Sequence, residues 1–403
     1  MAEMWDAVVA GHICVDVIPD LANIPPDEFQ SMFQPGRLLE AGPVAFSTGG
    51  AVSNTGLVLH KLGIQTQLMG KIGDDLFGEA IRKIISGFDA SLVDGMVVDS
   101  AAQTSYSVVI NPPQVDRIFL HYPGANDSFF ADDVRYDLVA QSRLFHFGYP
   151  PIMKSMYQNG GSELIDIYQR SKAAGVTTSL DLSLPDPTSP SGRAPWQRIL
   201  EDTLPSVDIF LPSAEEILFM LRRGTFDDLQ QNAGGIDILP LVTPQLLNDL
   251  SSQLLEMGTK IVGIKLGDRG IYLRTGGEAE LAAIGRAKPS NPGAWANREL
   301  WAPAFQVGEV GTTGAGDSTI AGFLSALLRD LSPEKALVMA TAVGACNVEA
   351  ADSLSGIRSW QATLDRVAAG WAKRHLAIDA AGWHFDEANA LWAKESSTGQ
   401  RRT

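Results

Sequence analysis

Cysteine and basic charge are both scarce in this sequence. The 403 residues include two cysteines, Cys14 and Cys346, which lie far apart inside apolar stretches. This pattern is typical of buried thiols in a reducing compartment rather than of a disulfide framework, so we expect a cytoplasmic protein. Lys and Arg number 31 against 47 Asp and Glu, which gives a formal net charge of −16. Nucleic acid and anionic membrane surfaces would repel this charge, and neither is expected to be the main partner.

Long apolar runs, a basic leader and the commonest phosphate-binding motif are missing as well. No run approaches the roughly 18 apolar residues that a membrane span requires. Residues 1–6 carry Glu3 and Asp6 in place of the basic charges that open a signal peptide. The Walker A pattern, Gly-x-x-x-x-Gly-Lys-Ser/Thr, does not occur. A phosphate site in this chain must therefore be of another type.

A regular alternation of strand and helix patterns is present from residue 144 onward. We predict strands at 144–147, 176–182, 208–211 and 261–266, and helices at 162–174, 214–221 and 244–257. Upstream, 7–17 is predicted to be one buried strand and 51–62 a helix. Such alternation predicts a doubly wound α/β fold, with a mainly parallel sheet and helices on both faces, in which ligands bind beyond the carboxyl ends of the strands. We expect a single domain over residues 1–394, followed by a polar tail at 395–403.

Two segments outside this alternation are predicted to form a small antiparallel β lid. They comprise residues of about 17–47 and 97–122, and the second contains two strand patterns around a turn at 111–113. The edge of such a lid can pair between subunits, which makes a homodimer one expectation. We expect surface loops in the stretches without a core pattern, which are 21–43, 185–195 with 224–240, and 287–301.

The most informative segment is 311–317, Gly-Thr-Thr-Gly-Ala-Gly-Asp, which precedes an apolar helix pattern at 318–328. Small residues let backbone N–H groups approach a phosphate closely, and the start of a helix adds its positive dipole end. Asp317 then lies where a carboxylate can take a proton from an attacking hydroxyl during phosphoryl transfer. The alternative interpretation is a glycine-rich turn in which Asp317 is an ordinary acid at the start of a helix.

Two glycine-marked turns near the other end of the chain each precede a polar side chain. The segment 11–16 ends on Asp16, and the segment 49–54 ends on Asn54. Recognition of a polyol requires a carboxylate that accepts hydroxyl protons and an amide that both donates and accepts. Taken alone, an aspartate at the end of a strand is more often a turn residue.

Together these segments resemble the two signatures of the ribokinase-like family of carbohydrate kinases, also called the phosphofructokinase B type. The first signature is matched by Gly49, Gly50 and Asn54 with the downstream segment 70–78, Gly-Lys-Ile-Gly-Asp-Asp-x-Phe-Gly, and the second by 311–317. The resemblance extends over residues of about 8–356. It implies an enzyme that uses ATP and Mg²⁺ to phosphorylate a hydroxyl of a sugar or sugar derivative.

The resemblance also implies a role for each matched residue. Asp317 would be the catalytic base, and the backbone of Gly314, Ala315 and Gly316 would form the anion hole. The acceptor would be held by residues of the first signature and the lid, namely Asp16, Gly49, Gly50, Asn54, Arg117 and Asn126. ATP would lie against the segment 265–270 and the second signature, through Lys265, Gly267, Gly270, Thr312 and Asn347.

A metal-binding motif of the family, Asn-x-x-Glu, is matched in part at 213–216, Ser-Ala-Glu-Glu. Glu216 would organise water bound to Mg²⁺, and the Ser213 hydroxyl would do so in place of the amide. Ser213 can also be the N-cap of a helix that begins at Ala214, with Glu216 as its capping-box acid. The two roles are compatible.

Two departures from the family leave the function partly open. Gly311 stands where the family commonly has an aspartate associated with an activating monovalent cation. Residues 147–149, Phe-Gly-Tyr, supply no carboxylate where some sugar-specific relatives use one, so the acceptor is not identified. Two alternatives are therefore kept: a nucleoside kinase on the same fold, and a catalytically weak protein that binds and senses a sugar.

Overall fold

The computed structural model describes residues 4–24, 34–36, 38–111, 118–234 and 237–395. Its strands are β1 Trp5–Gly11, β2 Cys14–Pro19, β3 Val44–Gly49, β4 Thr66–Met69, β5 Lys71–Gly73, β6 Val97–Asp99, β7 Tyr106–Ile110, β8 Ile118–Tyr122, β9 Ser142–Gly148, β10 Thr177–Leu180, β11 Ile209–Phe210, β12 Ile261–Lys265, β13 Ile271–Thr275, β14 Glu299–Ala302, β15 Trp383–Asp386 and β16 Leu391–Lys394. Its helices are α1 Ala51–Lys61, α2 Leu76–Ser86, α3 Tyr136–Val139, α4 Lys154–Tyr157, α5 Ser162–Ala173, α6 Trp196–Thr203, α7 Ala214–Leu221, α8 Arg223–Asn232, α9 Pro244–Glu256, α10 Glu278–Leu281, α11 Pro292–Trp295, α12 Ala315–Leu328, α13 Pro333–Asn347 and α14 Trp360–Ala368.

The larger sheet has ten strands in the order β15-β16-β14-β13-β12-β11-β10-β9-β1-β4. The last six strands in this order, from β12 to β4, run parallel. The remaining strands, β13, β14, β16 and β15, extend the sheet in antiparallel fashion. The predicted doubly wound and mainly parallel fold is confirmed, and its parallel strands bring their carboxyl ends to one edge.

Each face of this sheet is covered by its own apolar core. In β1, Ala7 and Val9 belong to the core that includes α1, α12 and α13, whereas Val8 and Ala10 belong to the core that includes α5, α7 and α9. Side chains alternate between the two faces along a strand. A continuous apolar strand therefore fits a sheet that is buried on both sides.

The smaller sheet, in the order β3-β2-β7-β8, forms a lid beside the larger one. β2 pairs with β3 and β7 pairs with β8 in antiparallel fashion, while β2 and β7 run parallel. β6, which falls in the second predicted lid segment, pairs with β5 in a separate two-stranded sheet. The lid sheet is therefore made from β2 and β3, which extend beyond the first predicted segment to Cys14 and Gly49, and from β7 and β8 of the second.

The prediction of a single strand at 7–17 is wrong, because the chain changes sheets in its middle. β1 ends at Gly11, and β2 begins at Cys14 in the lid. Gly11 has a φ of 122°, and a Cβ there would clash with the carbonyl oxygen of Gly148. Glycine is therefore required where the chain leaves the larger sheet. The apolar pattern continues across the break because Ile13 and Val15 are also buried.

The prediction of surface loops is wrong for 287–301 and for part of 224–240. Trp295 is buried at the end of α11, and β14 lies within the larger sheet. Most of α8 falls in the second stretch, and its Phe226 is buried. A one-turn helix and a four-residue strand are too short to leave a periodic pattern.

The remaining expectations for the fold concern the two cysteines, a membrane span and the segments at the lid and the tail. Both cysteines are buried and free, as expected. No helix in the described part of the chain is long and apolar enough to cross a membrane. Residues 25–33 and 37 of the first lid segment, 112–117 of the second with most of its predicted turn, and 396–403 of the predicted tail lie outside the described residues.

Candidate active site

Asp317 lies in the first turn of α12, directly after a glycine in the left-handed conformation. Gly314 has a φ of 75°, and a Cβ at this position would stand 2.6 Å from the Cβ of Ser353. The Gly314 carbonyl accepts a hydrogen bond from the Ser318 N–H at 2.8 Å, which begins the helix. Glycine therefore permits both the backbone turn and the close approach of the chain around Ser353.

The Asp317 carboxylate is buried and accepts three side-chain hydrogen bonds. Thr55 Oγ1 donates to Oδ1 at 3.0 Å, while Asn54 Nδ2 and the Tyr149 hydroxyl donate to Oδ2 at 3.1 and 2.7 Å. Each carboxylate oxygen has two lone pairs, so the bonds among the described residues saturate Oδ2 and leave one acceptor position on Oδ1. Burial raises the pKa of Asp317, and the donated hydrogen bonds and Lys265 partly offset the rise. A raised pKa strengthens this carboxylate as a base for a hydroxyl proton.

Tyr149 is a contact of this carboxylate that sequence reasoning missed. It follows β9 with a φ of 67° and a ψ of 39°, which is the left-handed region and uncommon for a residue other than glycine. In this conformation its hydroxyl reaches Asp317, and its ring centroid lies 6.3 Å from that of His12. Backbone strain of this kind concentrates at functional sites, but the sequence carries no local signal for it.

The predicted anion hole lies beside Lys265. The first N–H groups of an α-helix have no acceptor within the helix. The Ala315 N–H donates to the Thr312 carbonyl at 3.2 Å, so a phosphate at this point would share or replace that bond. A Cβ on Gly316 would stand 3.7 Å from Lys265 Nζ. Small backbone positions, a helix start and a positive charge therefore coincide, and this combination favours an anion.

Lys265 forms a buried ion pair with Asp181, which sequence reasoning also missed. Lys265 ends β12, Asp181 follows β10, and Nζ and Oδ1 are 2.5 Å apart. Burial raises the pKa of Asp181, with further rises from Glu216 and Asp317, and the ammonium of Lys265 opposes the rise. Burial lowers the pKa of Lys265, but the neighbouring carboxylates more than offset this and raise it. The ammonium of Lys265 therefore stays protonated, and it lies among several carboxyl groups.

Ser213 and Glu216 form the capping box that the sequence allows at the start of α7. The Ser213 N–H donates to Glu216 Oε2 at 2.6 Å, and the Glu216 N–H donates to Ser213 Oγ at 3.2 Å. Glu216 also lies close enough to Asp181 to raise the pKa of that carboxyl. The carboxylates of Asp181, Glu216 and Asp317 outnumber the ammonium of Lys265, an excess of negative charge that suits a divalent cation.

This arrangement fits Mg²⁺ held through water rather than in a cage of side chains. Among the residues that the structure describes, no group of three or more His, Cys, Asp or Glu side chains is arranged to hold a metal ion. Mg²⁺ commonly keeps several of its waters and binds one or two carboxylates together with substrate phosphates. Glu216 and Asp181, whose carboxyl groups act on each other electrostatically, would be the side chains to hold such water.

Asp16 lies against the glycine pair at the start of α1. A Cβ on Gly49 would stand 2.5 Å from Asp16 Oδ2, and a Cβ on Gly50, whose φ is 89°, would clash with the carbonyl oxygen of His12. Glycine is therefore required at Gly50, whereas a side chain at Gly49 would displace the carboxylate of Asp16. Burial raises the pKa of Asp16 to about 6, and a hydrogen bond from the Cys14 thiol opposes the rise. Asp16 is thus largely ionised at neutral pH and able to accept hydroxyl protons.

Two histidines lie beside this glycine pair, one after β1 and one in the lid. Their Nε2 atoms are 3.4 Å apart, and His121 Nδ1 is 2.9 Å from Ser107 Oγ. His12 is buried, and its Nδ1 has no hydrogen-bond partner among the described atoms. Burial lowers the pKa of both rings. Both imidazoles are therefore neutral at pH 7, and Nδ1 of His12 is the ring nitrogen that can donate to or accept from an acceptor hydroxyl.

The residues predicted to bind the acceptor do not all face the region between Asp16, the glycine pair and Asp317. Asn54 Oδ1 is buried without a partner in the described chain, which suits contact with an acceptor hydroxyl. Asn126 differs from the prediction, because its Nδ2 donates to the Ile13 carbonyl at 2.8 Å and its Oδ1 accepts from the Ile13 N–H at 3.1 Å. It is fully buried and braces the crossing between the two sheets rather than facing the acceptor. Arg117 lies outside the described residues.

A cavity of about 500 Å³ adjoins the first turn of α12. Its lining includes predicted nucleotide and anion-hole residues, namely Lys265, Gly267, Gly270, Thr312, Ala315 and Gly316. Asn347 was also predicted to contact ATP, but it does not line this cavity. It is fully buried, and its Nδ2 donates to the Ser353 carbonyl at 2.8 Å, so it supports the turn around Gly314 instead.

Comparison with known proteins assigns the family. The family described as "pfkB family carbohydrate kinase" matches residues 6–359. The chain therefore belongs to this family and is a phosphotransferase with an alcohol group as acceptor, as the two signatures predicted. It is 26% identical over 347 residues to fructokinase-1 of Zea mays, covering 84% of this chain and 89% of that one. It is 25% identical over 365 residues to probable fructokinase-6, chloroplastic, of Arabidopsis thaliana, covering 88% and 80% of the two chains.

Solved structures with this fold include kinases that differ in their names and bound ligands. The ribokinase of Arabidopsis thaliana, complexed with ribose and ATP, superposes with a TM-score of 0.66 at 19% identity, covering 90% of this chain and 98% of that one. A nucleoside kinase of Methanocaldococcus jannaschii gives a TM-score of 0.62 at 16% identity, covering 91% and 100% of the two chains. At such identities the likeness shows the fold alone.

Proposed function

We propose that this protein transfers the γ-phosphoryl group of ATP to a hydroxyl of a sugar or sugar derivative, with Asp317 as the general base. The observation that carries the proposal is the position of Asp317 between two sites. Its carboxylate is bonded to Asn54 and Tyr149 on the side of the glycine pair. Its helix begins with Ala315 and Gly316, which line the cavity on the other side.

The chemistry follows from this position. An acceptor hydroxyl that donates to the remaining position on Asp317 Oδ1 would lose its proton to that oxygen as it attacks the γ-phosphorus in line with the leaving ADP. The N–H groups at the start of α12 and the Lys265 ammonium would stabilise the charge on the transferring group. Bound Mg²⁺, held through water by Glu216 with the Ser213 hydroxyl nearby, would neutralise part of the phosphate charge.

The groups around the acceptor side favour an uncharged polyol. Asp16 supplies a carboxylate, and His12 and His121 are neutral because burial lowers the pKa of each ring. Among the described residues, no lysine or arginine shifts the pKa of Asp16, as a cation placed beside it to pair with a sugar acid or sugar phosphate would. The names of the similar proteins make fructose and ribose the first acceptors to test.

A coupled assay of ATP turnover with Mg²⁺ tests the proposal over neutral sugars, sugar acids and nucleosides. We expect the highest kcat/KM for a neutral sugar, and loss of turnover in Asp317→Asn. Asp208→Asn is the control, because Asp208 is also fully buried but pairs with Lys172 away from the cavity. A preference for nucleosides would support the nucleoside-kinase alternative. Sugar binding without ATP turnover would support the sensing alternative and overturn the proposal.

A further inference from the structure

A segment beyond the family match reaches the cavity beside α12. The family match ends at residue 359, whereas the segment 371–376 follows α14. The Gln306 N–H donates to the Ala372 carbonyl and the Arg374 N–H to the Ala304 carbonyl, each at 2.8 Å. Trp371 stacks on Phe305, with ring centroids 4.5 Å apart and planes 28° apart. This segment therefore backs the wall of the cavity that contains Ala304 and Phe305.

The side chain of Arg374 joins the two walls of the cavity. Its Nη1 lies 3.2 Å from Oδ2 of Asp268, in the turn between β12 and β13. Its Nη2 donates to Oε1 of Glu309, in the segment between β14 and α12. All three side chains line the cavity. Because a guanidinium has five N–H donors, two such bonds leave donors for a ligand.

Arg374 also changes the charge that a polyanionic ligand would meet. Asp237, Asp268 and Glu309 all line this cavity, and uncompensated carboxylates would repel a nucleotide. Lys265 is placed at the α12 end, beside Gly316. Arg374 is the only other cation in the described lining of the cavity. Its side chain is 32% exposed, so it is held in place without being sealed off from a ligand.

We propose that Arg374 is a nucleotide-binding residue that the C-terminal segment adds to the cavity, and that it contacts the base and ribose of the bound nucleotide. The proposal rests on the proposed function, since it takes the cavity to be the ATP site. The phosphates then lie by Lys265 and the start of α12, which leaves the nucleoside for the end held by Arg374. A planar donor group can stack on a base or bond to its ring nitrogens and to ribose oxygens.

The first test measures binding without any acceptor, by titration calorimetry of the full chain with ATP and with inorganic tripolyphosphate. In Arg374→Gln we expect the Kd for ATP to rise about tenfold, which corresponds to about 1.4 kcal/mol. The Kd for tripolyphosphate should rise less, by about twofold to threefold, because that ligand loses the charge of the guanidinium but no direct contact with it. Arg170→Gln is the matched control, because Arg170 also pairs with two carboxylates and its side chain is 39% exposed. Equal weakening of both ligands, or none, would overturn the assignment.

A second variant distinguishes direct contact between Arg374 and the nucleotide from a role in which Arg374 only holds the two walls of the cavity together. Asp268→Asn with Glu309→Gln removes the partners of Arg374 but keeps the guanidinium. Direct contact predicts that this double variant binds ATP as tightly as the wild type or more tightly. A loss of affinity equal to that of Arg374→Gln would show that Arg374 only holds the walls together. If the wild-type chain fails to bind ATP at all, the proposed function fails together with this inference, whereas ATP binding without sugar phosphorylation would leave this inference standing.

Discussion

Removal of the Tyr149 hydroxyl is expected to move the acid limb of the pH–rate profile upward. In the folded chain this hydroxyl donates to Asp317 Oδ2 at 2.7 Å. Tyr149→Phe removes the donor and keeps the ring, while Thr55 and Asn54 continue to donate to the carboxylate. Asp317 is 2% exposed, so water does not readily replace the lost donor.

The magnitude follows from the strength of a hydrogen bond to a charged group, which is about 1.5–3 kcal/mol. One pKa unit corresponds to about 1.4 kcal/mol, so the pKa of Asp317 should rise by about 1–2 units in the variant. Burial already raises this pKa, and the hydroxyl of Tyr149 opposes the rise. A carboxyl group acts as a base only when it is ionised. The variant should therefore lose rate between the old and the new pKa, and match the wild type well above both.

The assay is kcat at saturating acceptor over about pH 5 to 9, since kcat reports the groups of the enzyme–substrate complex and so leaves out the effect of Asp16 on acceptor binding. Tyr168→Phe is the matched control, because Tyr168 is fully buried and donates to the Ser179 carbonyl at 2.7 Å, away from Asp317. The control should lose stability without moving the acid limb. An acid limb at the wild-type position in an active Tyr149→Phe variant would refute the reasoning.

Four further predictions concern the base, the binding of the acceptor and the cation. Asp317→Asn should lower kcat by about 10²- to 10⁴-fold with little change in ATP affinity, because the amide keeps the shape but accepts no proton; turnover at the wild-type rate would rule out this base. Asp16→Ala should raise KM for the acceptor far more than KM for ATP, and equal effects would make Asp16 structural. Since the pKa of Asp16 is raised to about 6, acceptor binding by the wild type should weaken as the pH falls through that value. Potassium should stimulate turnover by less than about tenfold at matched ionic strength, because Gly311 offers no charged ligand; a larger stimulation over sodium and bulky organic cations would contradict this.

Local patterns in the sequence predicted the helix starts that carry the site. Helix α7 was predicted at 214–221 and occupies Ala214–Leu221, because Ser213 and Glu216 cap it through bonds three residues apart. The helix predicted at 318–328 begins three residues earlier, at Ala315, where Gly314 provides the left-handed turn. These features involve neighbours along the chain, so a single sequence contains the information.

The predictions failed where two strands share one pattern or where an element is short. The run 7–17 is mostly apolar on both sides of the break, and Gly11 marks the point where the chain changes sheet. Asn126 was expected to face the acceptor, but its amide is held by the backbone of Ile13. A polar side chain buried in a fold bonds to whatever group packs against it, and its sequence neighbours do not reveal that group.

The sequence by itself determined the alternating fold, the two signatures and the residues from which a base, an anion hole and a glycine-lined acceptor side would be built. Only the tertiary structure decided which side chains complete them. Tyr149 meets Asp317 across 168 residues, Asp181 meets Lys265 across 84, and Arg374 meets Asp268 across 106. Such partners are brought together by the order of the parallel strands and by burial on both faces of the sheet, so they leave no periodic or local signal in the chain.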